Sequence, residues 1–497
     1  MSKNPASRNI LALLLLAALS LSTATGAAAE IGDKPAAIEA LVKTYEDTQN
    51  FNGAVLVAEK GRVIFKKGFG LADREWNVPN APDTKFRLGS ITKQFTSMLV
   101  LELVQEKKLD LQGRLSSYLP FYRKDTGDKI TIHHLLTHTS GIPDYTDQVE
   151  RLAVEAVRDP YPPAEFVAKF CSGDLQFEPG TRYRYDNAGY FILGAVIEAV
   201  TGKPYEQVLR ERIFEPLGMR DSGYDRPVPL IPRRASGYDV SFDGFENARY
   251  LNMSLPYAAG ALYSTVEDLY KWDRALAGNE LLSPEMKSLL FKPQVAGGGG
   301  VSYGYGWMVR QAPVPGAQAK TLHVFHMGAI FGFRSYIGRL PEEGHLVVIL
   351  NNTPEAALPA MAEGILGILY GQPPVPPKKS VSRAVYRTLL EKGVGEAVAK
   401  YGEIKRTAAQ DYDLNPSELN ELGYYLLQTK KMVPAALEIF KLNVAEYPKY
   451  ANGYDSLGEA YLAAGDKKQA VLSYAKSLEL DPSNANAAAK LAEILKR

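Results

Sequence analysis

Apolar positions along the chain change period several times, and each change marks an element. Over residues 36–48 they recur at helical spacing, which predicts an amphipathic helix. Two short apolar runs follow, Ala54-Val55-Leu56-Val57 and Val63-Ile64-Phe65, separated by the polar Glu59-Lys60-Gly61-Arg62. That layout predicts a hairpin of short strands. A second hairpin is predicted at residues 334–339 and 346–350, around Pro341-Glu342-Glu343-Gly344. Between the hairpins lie segments of helical pattern at 90–108, 132–137 and 185–201. The first is apolar nearly all round, through Phe95, Met98, Leu99, Val100, Leu101, Leu103 and Val104, as suits a helix embedded in a core. Strands at both ends with helices between predict an α+β fold, in which an antiparallel sheet flanked by helices is closed by early and late strands and carries an all-helical subdomain on one side.

The pattern changes again after residue 371. Gln372-Pro373-Pro374-Val375-Pro376-Pro377 reads as a stiff, extended linker, followed by charged, helical sequence to about residue 415. Beyond it the chain repeats: Leu422-Gly423, Leu426, Ala435 and Pro448 return as Leu457-Gly458, Tyr461, Ala470 and Pro482, at an offset of 35 and, for the last, 34. This resembles a tetratricopeptide repeat, with residues 485–497 as a capping helix. A large residue on one helix would pack beside Gly or Ala on the next. The expected layout is thus 1–29 leader, 30–371 main domain, 372–415 linker and connector, and 416–497 an α-helical repeat domain. The repeats would serve either as a platform for a protein or peptide partner or as a brace for the main domain.

Composition narrows the function classes. With 57 basic and 56 acidic residues among 497, the formal charge is +1, so no net field favours nucleic acid or an anionic membrane. At the N-terminus, Lys3 and Arg8 precede an apolar run from Ile10 to Leu21 and then Ala27-Ala28-Ala29, the layout of a cleavable secretory signal. The run is shorter than the roughly 20 residues a membrane span needs. An exported protein, periplasmic or secreted, with no membrane span after cleavage is therefore expected. Cys171 is the single cysteine, which leaves no intrachain disulfide.

Candidate chemistry starts at Ser90-Ile91-Thr92-Lys93, which places a hydroxyl and an amine on one helical face. A serine hydroxyl is a poor nucleophile until a neighbour takes its proton. For Lys93 to do so near neutral pH its pKa must fall by about three units, a differential cost of roughly 4 kcal/mol. Burial, the positive end of the helix and a lack of nearby carboxylates are expected to push it down. Tyr185 offers a second route, as a phenolate beside a charged Lys93. The sequence leaves that choice open, and the two are read as a coupled pair.

Two further stretches accompany the first, Tyr185-Asp186-Asn187 within RYRYDNAGY and His326-Met327-Gly328 within FHMGAIFGF, and with them HHLLTHTSGIPDY (133–145), AAGALYSTVEDLYKW (258–272) and YGYGW (303–307). In this order they resemble the beta-lactamase-related serine hydrolases, over roughly residues 35–370. The resemblance implies an acyl-enzyme on Ser90, proton transfer by Lys93 and Tyr185, and an oxyanion hole from the amides of Ser90 and Ala329. Gly328 and Ala329, both small, would let an edge strand approach the substrate. Asn187 would bind a substrate carbonyl or orient Lys93. Where penicillin-recognising members carry Lys-Thr-Gly or Lys-Ser-Gly, this chain has His326-Met327-Gly328, an imidazole and a thioether in place of a fixed cation and a hydroxyl. That favours neutral esters or amides, and His326 and Gly328 join Asn187 as expected substrate-binding residues. The expected substrate is a small ester, amide or peptide, with no cofactor and no metal. Two alternatives stand beside it: a beta-lactamase or penicillin-recognising DD-peptidase, and a non-catalytic sensor that works through its repeats. His133, His134 and His138 lack the accompanying Glu of an H-E-x-x-H zinc site and read as packing residues. Tyr303, Tyr305 and Trp307 read equally as an acyl pocket or a structural cluster.

Overall fold

A computed structural model of the chain describes residues 32–149, 158–313, 319–354 and 357–495. The proposed leader lies outside the described residues. The centre of the molecule is an eight-stranded antiparallel sheet, in the order Val295–Gly298, Val301–Tyr303, Met308–Pro313, Lys320–Ile330, Phe333–Leu340, His345–Asn351, Gly53–Glu59, Arg62–Phe69. Early and late strands meet where Gly53 to Ala58 pair with Asn351 to Leu346.

Strand alternation decides which layer each residue joins. Ala54, Leu56 and Ala58, with Leu346, Val348 and Leu350, face a large core that includes Phe95 and Leu99 of the helix Thr92–Gln105. Val55, Val57, Val347 and Ile349 face the other way, onto the helices Lys34–Asp47 and Leu358–Leu369. The sheet is thus a middle layer. Phe95 stacks on Trp272 at 4.4 Å, and the Trp272 indole donates to Gln94 Oε1 at 3.1 Å. The near-continuous apolar pattern of Thr92–Gln105 follows from this packing on several sides.

Two helix starts differ from the sequence expectation. Ser90 lies in a 3-10 turn, Gly89–Ile91, ahead of the helix that carries Lys93. The later helix spans Ala188–Thr201, so Tyr185, Asp186 and Asn187 precede it. The cause is local: Asp186 Oδ1 accepts the Gly189 N–H at 2.5 Å, as a capping side chain does, and so ends the preceding loop.

Beyond the main domain the chain is helical, through Val381–Lys392, Val394–Thr407, Pro416–Tyr424, Val433–Glu446, Ala451–Ala463, Lys467–Leu480 and Ala485–Leu495. A Cβ on Gly423 would sit 2.5 Å from the Phe440 ring, and one on Gly458 2.8 Å from the Tyr474 ring. The same small-against-large contact therefore recurs one repeat length along.

This helical segment grips a hairpin of the main domain, Tyr238–Ser241 with Gly244–Asn247. At the hairpin tip, Phe242 packs 5.5 Å from the Tyr386 ring and 5.0 Å from the Tyr425 ring. Asp243 accepts from the Tyr386 hydroxyl at 2.6 Å and the Tyr425 hydroxyl at 2.7 Å, and pairs with Lys430. These donors, Lys430 foremost, pull the Asp243 carboxyl down to about 2. Arg383 donates to the Ser241 carbonyl at 2.9 Å. The base of the hairpin touches the turn that ends the Lys320–Ile330 strand, since a Cβ on Gly332 would lie 2.7 Å from Gly237 Cα.

Candidate active site

The turn Gly89–Ile91 seats Ser90 against the end of the strand Lys320–Ile330. Gly89 has φ +55°, and a Cβ there would lie 2.7 Å from Ala329 N and 2.9 Å from Ala329 O. Only glycine allows that approach. The strand is interior to the sheet rather than at its edge, yet its pairing with Met308–Pro313 begins at Phe325 and runs back to Lys320. From His326 onward one side is free of that partner, and this local edge borders the Ser90 turn.

Lys93 is fully buried and its amine has three neighbours: Ser90 Oγ at 3.0 Å, Asn187 Oδ1 at 2.9 Å and the Ala259 carbonyl at 2.9 Å. Two of them are carbonyl oxygens, which can only accept. A neutral amine has two hydrogens for those two carbonyls, which leaves its lone pair for the Ser90 hydroxyl. Burial pulls the Lys93 pKa down to about 7, opposed by the charges of Asp144 and Asp186. The expectation of no nearby carboxylate is therefore wrong. Desolvation nonetheless outweighs both acids.

Tyr185 is half-buried, and its phenol has the Ser90 hydroxyl as hydrogen-bonding neighbour. Burial pushes the phenol well above its ordinary value, so it rests protonated. Its ring packs against His138 at 4.3 Å and lies 4.9 Å from the Lys93 amine.

Asn187 is fixed by a residue the sequence reading passed over. Asp144 Oδ2 accepts from Asn187 N and Nδ2, both at 3.1 Å, and Asp144 Oδ1 accepts from Thr146 N at 3.0 Å. The amide is thereby oriented with its oxygen toward Lys93. Its side chain is used to hold the amine, the second of the two roles expected of it. Asp144 lies within the GIPDY stretch, where the only signal was a lone acid after Gly and Pro.

His326 and Gly328 both lie on the buried face of the strand, His326 with its ring 6.3 Å from that of Tyr185. In this strand His326, Gly328 and Ile330 are buried while Met327 and Ala329 are exposed, as a period of two requires. His326 Nδ1 meets the Met327 carbonyl at 2.6 Å, so that nitrogen carries the hydrogen and Nε2 accepts from the Tyr303 hydroxyl at 3.1 Å. Burial takes its pKa down to about 3 and keeps it neutral. Gly328 faces backward: a Cβ there would sit 1.8 Å from the Leu88 carbonyl and 2.3 Å from Ser335 Oγ. Gly328→Ala is accordingly expected to destabilise the fold by about 1–3 kcal/mol or more, as overpacking against backbone does. A fall in the urea midpoint checks this.

The three early histidines go to separate partners. His133 meets the Tyr305 hydroxyl at 2.7 Å, His134 closes a capping box with Thr131, and His138 lies 3.5 Å from Asp186. Tyr303 and Trp307 are buried, so the YGYGW stretch supports the site from behind.

Comparison with known proteins agrees with this fold. A family model described as Beta-lactamase matches residues 38–369, ending ahead of the proline-rich segment. Esterase EstB of Burkholderia gladioli is 30% identical over 340 residues, spanning 61% of this chain and 86% of the esterase. The crystal structure of a penicillin-binding protein from Bacillus halodurans, 30% identical, superposes with a TM-score of 0.58 over 65% of this chain and 97% of that one. D-amino acid amidase from Ochrobactrum anthropi SV3, 25% identical, gives a TM-score of 0.59 over 68% and 98%.

Proposed function

The chain belongs to the beta-lactamase family of serine hydrolases, and from that premise we propose that it hydrolyses small esters or D-amino-acid amides through an acyl-enzyme on Ser90. The observation that carries this reading is the Lys93 amine, held 3.0 Å from Ser90 Oγ by two carbonyl acceptors. In the acylation step Ser90 Oγ bonds to the acyl carbon as its proton passes to the Lys93 nitrogen. The acyl oxygen takes the negative charge against the Ser90 and Ala329 amides. Collapse breaks the bond to the leaving group, which takes its proton from Tyr185, and Lys93 restores the phenol. Water then repeats the sequence in reverse, with the proton returning to Ser90. The high phenol pKa supports the role of relay for Tyr185 and that of base for Lys93.

The third motif supports a neutral substrate. Its exposed side chain is Met327, 38% exposed, and its imidazole is buried and uncharged. Neither would hold a carboxylate. Turnover of p-nitrophenyl acetate, a D-amino-acid amide and nitrocefin, each against Ser90→Ala, tests this. Ester or amide turnover that vanishes in the variant is the expected result. Dominant nitrocefin hydrolysis would replace it with a beta-lactamase, and no turnover of any probe with a non-catalytic sensor.

The remaining readings are that the protein is exported, as its first residues suggest, and that the C-terminal helices are tetratricopeptide-like repeats. Among the described residues no helix is long and apolar enough to cross a membrane. The contacts of Tyr425 and Lys430 with Phe242 and Asp243 support a bracing role for the repeats. Deleting residues 416–497 is then expected to give insoluble or readily melted protein. Soluble protein with full activity would favour a partner platform.

A further inference from the structure

A cavity of about 920 Å³ lies in the helical part of the main domain, away from Ser90. Glu198 on its wall is eleven residues along the helix from Asn187, about 16 Å at helical rise. Between cavity and site stands the segment Tyr257–Gly260, pinned where Thr96 Oγ1 donates to the Ala258 carbonyl and meets the Tyr205 hydroxyl at 2.6 Å.

Four aromatic rings contribute to the lining, Tyr161, Tyr205, Tyr224 and Tyr257. Their hydroxyls are partly occupied elsewhere: Tyr205 meets Thr96, and Tyr224 donates to the Met253 carbonyl at 3.0 Å. Two uncommon backbone choices put Tyr257 in place. It has φ +37°, and Gly194, in mid-helix, leaves room for its ring, since a Cβ there would lie 2.4 Å from it. Glycine in that position costs the helix about 0.5–1 kcal/mol.

Charge distinguishes this cavity from a plain apolar hollow. Glu206 is paired with Arg226 at 2.6 Å, and Asp225 with Arg87 and Arg234 at 2.7 and 2.6 Å. Glu198 has no cationic partner among the described residues. Its Oε1 accepts the Tyr205 N–H at 2.8 Å, which fixes the carboxylate beside the Tyr257 phenol. Tyr161 and Tyr224 already lie under Lys169 and Arg226, at 5.3 and 5.9 Å, so the Glu198 carboxylate beside the Tyr257 ring is what remains to attract a cation with an apolar surround. Val228 at the rim is 88% exposed and would meet the apolar part of such a molecule.

We propose that this cavity is a second small-molecule site, separate from the serine centre, that binds an organic cation, a quaternary ammonium or protonated amine on a small apolar body. Calorimetric titration of the full chain with choline tests it. Saturable binding is expected, equal in wild type and Ser90→Ala, at least tenfold weaker in Glu198→Gln, and at least tenfold weaker for the uncharged isostere 3,3-dimethylbutan-1-ol. Glutamine keeps the oxygen that accepts from Tyr205, so the variant removes charge with little other change. No saturable choline binding would overturn the proposal, as would equal binding of the isostere, insensitivity to Glu198→Gln, or loss of binding once Ser90 is blocked by a phosphonate.

Discussion

Ser90→Ala is expected to lower kcat/KM for an acetyl ester by about 10⁴-fold or more, the scale on which removal of an acylated serine acts in other hydrolases. The side chain is a small part of the local packing, and the turn that carries it is set by Gly89 against Ala329. Lys93 keeps both of its carbonyl partners in the variant, Asn187 and Ala259. The fold should therefore survive while the reaction does not. Initial rates and intact mass after a fluorophosphonate check both parts. A labelled Ser90→Ala protein, or one with a rate near wild type, would place the nucleophile elsewhere.

Lys93→Met is expected to cost at least about a hundredfold in kcat/KM, the usual size of a general-base contribution. The pH dependence is more diagnostic. Below a pH of about 7 the amine carries a proton and cannot accept the one from Ser90, so wild-type kcat/KM should rise through that region and level off above it. The variant's residual rate should lack this rise. The same shift acts on stability. The amine has its pKa lowered on folding from about 10.4 to about 7, so between those values the unfolded chain binds more protons and stability increases with pH. Wild type should gain on Lys93→Met by up to about 1.4 kcal/mol per pH unit over that window. Parallel pH–stability curves for the two proteins would mean that the lysine is charged in the fold.

The strands, the closure of the sheet by early and late segments, and the grouping of Ser90, Lys93 and Tyr185 were legible because each rests on local pattern or on motif order. What escaped was set by direction. The helix after the second motif begins at Ala188, where Asp186 accepts the Gly189 N–H from the loop, a contact that composition does not reveal. Gly328 faces backward because strand parity relative to the Leu88 carbonyl depends on a partner 240 residues away in sequence. Asp144 gave no periodic or motif signal, and its value lies wholly in a bond to Asn187, 43 residues on. Lys93 was expected to be free of acids, yet two are close enough to act on it.

The grip of the C-terminal helices on Phe242 and Asp243 means that the two parts of the molecule do not depend on peptide continuity to stay together. A protease that cuts within residues 372–377 should yield two fragments on a denaturing gel but one species on size exclusion. They would part only when denaturant or an Asp243→Ala change loosens the tyrosine pair, so a clipped preparation would pass for intact material in any native assay.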